Sequence, residues 1–269
     1  MNLKTAIKRL NLFTQGQRLI AIICVLIAAC AIAILYYTPS PLLMIPAGLI
    51  LNYILFRRLI VTNKFSTIIT KSLRPMLWIA ISLFYIYSVY IIGKTSPLLF
   101  ILSVAVSSAV YGVICYLETQ PQPNLLLDNI LTLLFILVSS SLASLTVVYW
   151  HWPAALVMLI LWIINFLIAL WWLLDFTNKP QILAALWGFV AVQIFWIASR
   201  WTVLYQLPSV PLILSQYSAI ITALAYGWGG IYYHYKQRTL KKSITIEYLA
   251  VTVIVFVLLI FMNRWTGTG

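Results

Sequence analysis

The sequence predicts an all-α fold, a polytopic transmembrane helical bundle of roughly nine spans with its N-terminus in the cytoplasm and its C-terminus outside. Three observations predict it. Hydrophobic residues make up 64% of the 269 positions and charged residues only 8%, against about a quarter charged in a soluble domain. Apolar stretches of about 20 residues recur along the chain, each long enough to cross ~30 Å of hydrocarbon as a helix. Lysine and arginine gather in alternate connections between those stretches. The runs are apolar at odd and even positions alike, which excludes the alternating segments of a membrane barrel.

Residues 1–18 come first. Lys4, Lys8, Asn11, Gln15 and Arg18 fall on one helical face, with Leu3, Ile7 and Leu10 on another. That pattern predicts a basic amphipathic helix lying on the membrane surface. Residues 19–269 then read as a single transmembrane domain, with spans at 19–37, 39–56, 76–93, 97–117, 125–149, 153–174, 180–200, 208–235 and 246–262. The stretch Ile27-Ala28-Ala29-Cys30 resembles a lipoprotein cleavage site, but the apolar run continues past Cys30 to Tyr37. The expectation is therefore an uncleaved first helix. Cys24, Cys30 and Cys115 all fall inside predicted spans and suggest neither a disulfide framework nor a thiolate metal site.

Orientation follows from the basic residues. With the N-terminus inside, the cytoplasmic segments hold fourteen of the 17 lysines and arginines, including Arg57, Arg58, Lys64, Lys71, Arg74, Lys236, Arg238, Lys241 and Lys242. Lys94, Arg200 and Arg264 are left outside, a strong positive-inside bias. The net charge of +13 thus reads as topology and contact with anionic lipid on the cytoplasmic face, and not as nucleic-acid binding. Proline placement agrees, because proline at the first helical position gives up only a donor that has no intrahelical partner. Pro39, Pro97, Pro153 and Pro208 are expected to open inbound helices, and Pro75 and Pro180 outbound ones, with Thr38 and Ser96 as N-caps.

Chemistry-bearing residues are few. The carboxylates Glu118, Asp128, Asp175 and Glu247 all sit near cytoplasmic ends of predicted spans. They read as independent local charges: Glu118 in a loop, Asp128 and Glu247 in first turns that favour negative charge, and Asp175 needing a partner such as Lys179. The sharper alternative is a convergent acidic cavity holding a cation or a proton. Asn165 and Gln193, in the middle of the sixth and seventh spans, are expected to form hydrogen bonds between helices. Small residues such as Ser107 and Ser140 predict close approach of the fourth and fifth spans, and Gly227, Gly229 and Gly230 a bend or close crossing in the eighth. At the outer face His151 and Arg200 form a candidate anion contact within an aromatic belt.

No HExxH, GxSxG, GxxxxGK[ST] or GxGxxG motif occurs, and His151 and His234 are assigned to opposite faces. Neither catalysis, nor a cofactor, nor a metal is expected. The functional reading is a non-catalytic bundle in a bacterial-type cytoplasmic membrane that assembles with or organises another membrane component. A transporter or channel for a neutral or hydrophobic solute ranks second, and a lipid-modifying enzyme third.

Overall fold

The computed structural model describes residues 22, 26, 65–93, 96–119, 125–174, 176–206 and 212–262. Their main elements are helices α1 (Phe65–Gly93), α2 (Pro97–Thr119), α3 (Leu125–Val148), α4 (Ala154–Leu173), α5 (Pro180–Ala198), α6 (Gln216–Lys236) and α7 (Lys242–Met262). A short 3-10 turn, Ser199–Trp201, leads from α5 into strands β1 (Leu204–Gln206) and β2 (Ile213–Ser215). All of these helices except α6 are long and apolar enough to cross a membrane. The chain is an all-α helical membrane bundle. The amphipathic segment 1–18, and all of the first two predicted spans but for helical Ile22 and Leu26, lie outside the described residues.

Two compact units divide the chain, Met1–Asp128 and Asn129–Gly269. In the first, α1 and α2 form an antiparallel hairpin. Its contacts run in order, from Tyr90 on Phe100 with ring centroids 4.8 Å apart to the Ser82 and Ser107 hydroxyls at 2.6 Å. Trp78 Nε1 donates to the Ser107 carbonyl at 3.1 Å, giving a buried indole N–H the partner it needs. Ser107 is thus engaged by α1. Ser96 caps α2 as expected, its Oγ accepting from Leu99 N at 3.4 Å.

Pro75 corrects the predicted boundary. It lies inside α1, which begins ten residues earlier at Phe65. A proline interrupts a helix mainly by deleting one i→i−4 bond, and in a membrane bundle neighbouring groups can absorb that loss. Glu118 is also corrected, from a loop to the last turn of α2.

In the second unit, α4 and α5 pack around Gly188, where an added Cβ would lie 3.1 Å from the Trp162 carbonyl. Small buried residues, Ala184, Gly188 and Ala191, make the α5 side of this seam. Pro180 opens α5 as predicted, while Pro153 sits one place before the start of α4. Asn129 Oδ1 accepts from Trp172 Nε1 at 2.7 Å, and Phe135 stacks on Trp171 with centroids 6.5 Å apart, setting α3 antiparallel to α4.

Within the predicted span 208–235, residues 213–215 form β2, which pairs antiparallel with β1, Tyr205 opposite Leu214. Pro208, expected to open this helix, lies outside the described residues, and α6 begins only at Gln216. Ser215 caps it, Oγ accepting from Ser218 N at 3.0 Å. Helix α7 crosses α6 closely, because a Cβ on Gly227 would strike Thr252 and one on Gly230 would strike Tyr248. Thr252 Oγ1 also reaches the Ala223 carbonyl at 3.3 Å. The close crossing expected of these glycines is present. Helix α7 begins at Lys242, four residues before the predicted start.

Candidate functional site

In the first unit the charged residues converge on Arg74. Its Nη1 lies 2.6 Å from Asp128 Oδ1 and 3.5 Å from Glu118 Oε1. The three side chains are 11%, 17% and 22% exposed for Arg74, Asp128 and Glu118. Arg74 comes from α1, Glu118 from the last turn of α2, and Asp128 from the first turn of α3. One guanidinium therefore ties together three helix segments. The expectation that Asp128 stands as an independent helix-end charge is overturned, since it is ion-paired. The signal in the sequence was Arg74 itself, directly before Pro75 at the edge of an apolar run, where orientation counting treated it as a loop charge.

Asp175 lies outside the described residues, and Glu247 is exposed on α7. His151 and Arg200 are both exposed, near the end of the second unit where α4 begins and α5 finishes. His151 has the left-handed backbone value φ 51°, in the turn between α3 and α4. Arg200 instead spreads over the Trp196 ring, 5.7 Å from its centroid, a cation–π contact typical of interface depth. No hydrogen bond or ion pair among the described residues joins His151 to Arg200.

Gln193 departs from expectation. It is exposed on α5, one position past the buried pair Ala191 and Val192, and its side chain makes no hydrogen bond among the described residues. Small side chains took the interior face, because they bring backbones closer than an amide can.

Asn165 is completely buried, with 0% exposure. Its Nδ2 donates to the Leu161 carbonyl of its own helix at 3.0 Å, and its Oδ1 has no hydrogen-bond partner. Among the described residues Asn165 makes no bond to another helix. On α3 every residue from Ser139 to Thr146 is buried. Ser139, Ser144 and Thr146 return their hydroxyls to carbonyls of α3 at 3.1, 3.2 and 2.8 Å. The hydroxyls of Ser140 and Ser141 make no such bond. The Tyr217 hydroxyl donates to the Ala191 carbonyl at 3.0 Å and lies beside the Ser140 side chain. Burial also pushes the Tyr205 phenol, on β1, above its ordinary value.

At the opposite end of this unit an aromatic cluster joins α4, α6 and α7. Trp172 meets Tyr232 at 6.1 Å, Phe176 meets Tyr233 edge-on at 5.6 Å, and His234 meets Tyr248 at 5.9 Å. Beyond it Lys236, Arg238, Lys241 and Lys242 are all exposed, with Lys236 Nζ 5.5 Å from the Tyr232 ring centroid. Among the described residues no group of three histidines, cysteines or carboxylates is placed to hold a metal. Comparison with family models, with curated proteins and with solved structures gives no match.

Proposed function

We propose that this chain is a non-catalytic, nine-span bundle, N-terminus in and C-terminus out, that assembles with another membrane protein through α7. One observation carries the reading. Only 6% of the apolar segment Lys242–Leu259 is buried, against 28% to 56% for the other helices of membrane-crossing length. Ile246, Leu249, Val253, Ile254 and Phe261 are all exposed, and the packing of α7 is carried by its glycine seam with α6. A helix held on one side offers a long face to a neighbouring helix.

The exposed cations of the α6–α7 turn support the orientation, since such residues favour the cytoplasmic side, and they suit anionic lipid or acidic groups of the partner there. A bacterial-type cytoplasmic membrane fits this arrangement. The experiment is photo-crosslinking in native membranes from a probe at Val253 or Phe261. A discrete protein adduct is the expected product. Lipid adducts alone at both positions would rule the assembly reading out.

A further inference from the structure

We infer that the α6–α7 turn is a binding site for the phosphodiester headgroup of an anionic phospholipid, held by Arg238 with Lys236, Lys241 and Lys242. All four side chains are exposed, and among the described residues none of them is ion-paired, since the ion pairs found there are both Arg74's. Cations gathered in the stretch Lys236–Lys242 repel one another, and an anion between them relieves that repulsion. The inference rests on the reading above only in taking α6 as a membrane crossing. It needs neither the partner of α7 nor the orientation.

The backbone of the turn is fixed, and Arg238 sits at its strained position. Helix α6 is capped at Gln237. The next two amides turn back to it, Arg238 N–H donating to the Tyr235 carbonyl at 3.2 Å and Thr239 N–H to the His234 carbonyl at 2.9 Å. These are the two bonds of a Schellman motif, in which the residue after the cap takes left-handed backbone and is usually glycine, because a Cβ is unfavourable there. Arginine fills that place here, with φ 55°. His234 Nδ1 and Thr239 Oγ1, 2.9 Å apart, tie the turn to α6 a further time. Among the described residues the Arg238 side chain makes no hydrogen bond that would offset the strain. A cationic side chain held at an unfavourable backbone position, exposed and unpartnered, points to a ligand outside the protein.

Depth selects a lipid over a soluble anion. Only residues 237–241 separate α6 from α7, and each helix runs 21 residues, about 31 Å at 1.5 Å per residue and close to the hydrocarbon thickness. A turn so short between two crossings cannot rise far above the headgroups. Leu240, within the turn, is 39% exposed, an apolar side chain suited to the boundary between headgroups and acyl chains. The Tyr232 ring, 5.5 Å from Lys236 Nζ, stands one helical turn earlier, as aromatic rings do at a membrane interface. The chemistry sets the class of headgroup. A guanidinium can give two parallel hydrogen bonds to phosphate oxygens, and three lysines add positive charge that a zwitterionic headgroup, carrying its own ammonium, matches less well than an anionic one.

The test places an apolar photo-crosslinking residue at Leu240 of the full chain, in nanodiscs of equal phosphatidylglycerol and phosphatidylcholine with matched acyl chains. Several-fold more phosphatidylglycerol adduct than phosphatidylcholine adduct is expected. R238G should lower that ratio about five-fold, the effect of one near-surface cation, while its melting temperature stays level or rises, because glycine relieves the left-handed backbone. R238K should keep most of the ratio, and inorganic phosphate at constant ionic strength should not compete. Four results would each overturn the inference. Equal adducts, unchanged in R238G, remove the site but leave α6 a crossing helix, and Arg238-dependent binding of polyglutamate in that case assigns the patch to an acidic protein. No lipid adduct of either kind removes the crossing and the site together. Competition by inorganic phosphate assigns the patch to a free anion. A fall of both ratio and melting temperature in R238G, not restored in R238K, gives Arg238 a role in the turn's structure alone.

Discussion

A single arginine shows how much one side chain can organise in a bundle this poor in charge. Arg74 binds Asp128 and Glu118, each on a different helix segment. Removing one partner of a shielded ion pair strands the rest, at a cost of about 3 kcal/mol for a group this little exposed. R74M is therefore expected to lower thermal stability in detergent markedly. Replacing Arg74, Glu118 and Asp128 together with apolar residues of similar volume should recover most of that loss, because no uncompensated charge remains. A triple variant no more stable than R74M would mean that the cluster has a role beyond holding helix ends. Residue-level reading from sequence divided unevenly here. The burial of Ser139–Thr146 and of Asn165 was legible from their polarity within an apolar run, which forces them inward. The exposure of Gln193 was not legible, because its neighbours Ala191 and Val192 compete for the same interior face. Nor was the Arg74 pairing, which joins residues 54 positions apart.

At the scale of the element, glycine placement fixes where α6 and α7 meet. Gly227 lies against Thr252, whose hydroxyl is held by the carbonyls of Ala223 and Tyr248 at 3.3 and 2.9 Å. G227A must displace that short side chain and break these bonds, or part the helices, with an expected cost of about 1 to 3 kcal/mol. Adding T252A should restore most of it, as read by thermal melting of the two variants and their combination. If the double variant melts no higher than G227A, the crossing is not set by this contact. The helices α2 to α5 and α7 were readable to within a few residues, since apolar length is a strong signal, whereas the starts of α1 and α6 were not. The β1–β2 pair was missed for a physical reason: three-residue strands are too short to show a period, and Pro208 resembled the other helix-opening prolines. The predicted start at Pro75 failed by the same analogy in reverse, as tertiary packing carried α1 straight through it.

For the molecule as a whole, composition alone gave the class, because a chain 64% hydrophobic has no water-soluble way to bury its surface. Orientation remains a proposal with a direct measurement. A tag placed after Gly269 is expected to be reached only from outside the cell, and labelling from the cytoplasm would reverse the topology. The β1–β2 pair bears on this question as a depth gauge. Sheet edges exposed to lipid do not occur within hydrocarbon. On that principle the pair is expected to lie at or above the waterline at its end of the second unit. From that line α6 descends for 21 residues to Lys236, about 31 Å at 1.5 Å per residue and close to the ~30 Å hydrocarbon thickness. Measured from this gauge, α6 has the length of a full crossing although its tyrosines and glycines dilute its apolar character, and a crossing α6 would be expected to bring Lys236 to the opposite layer of headgroups.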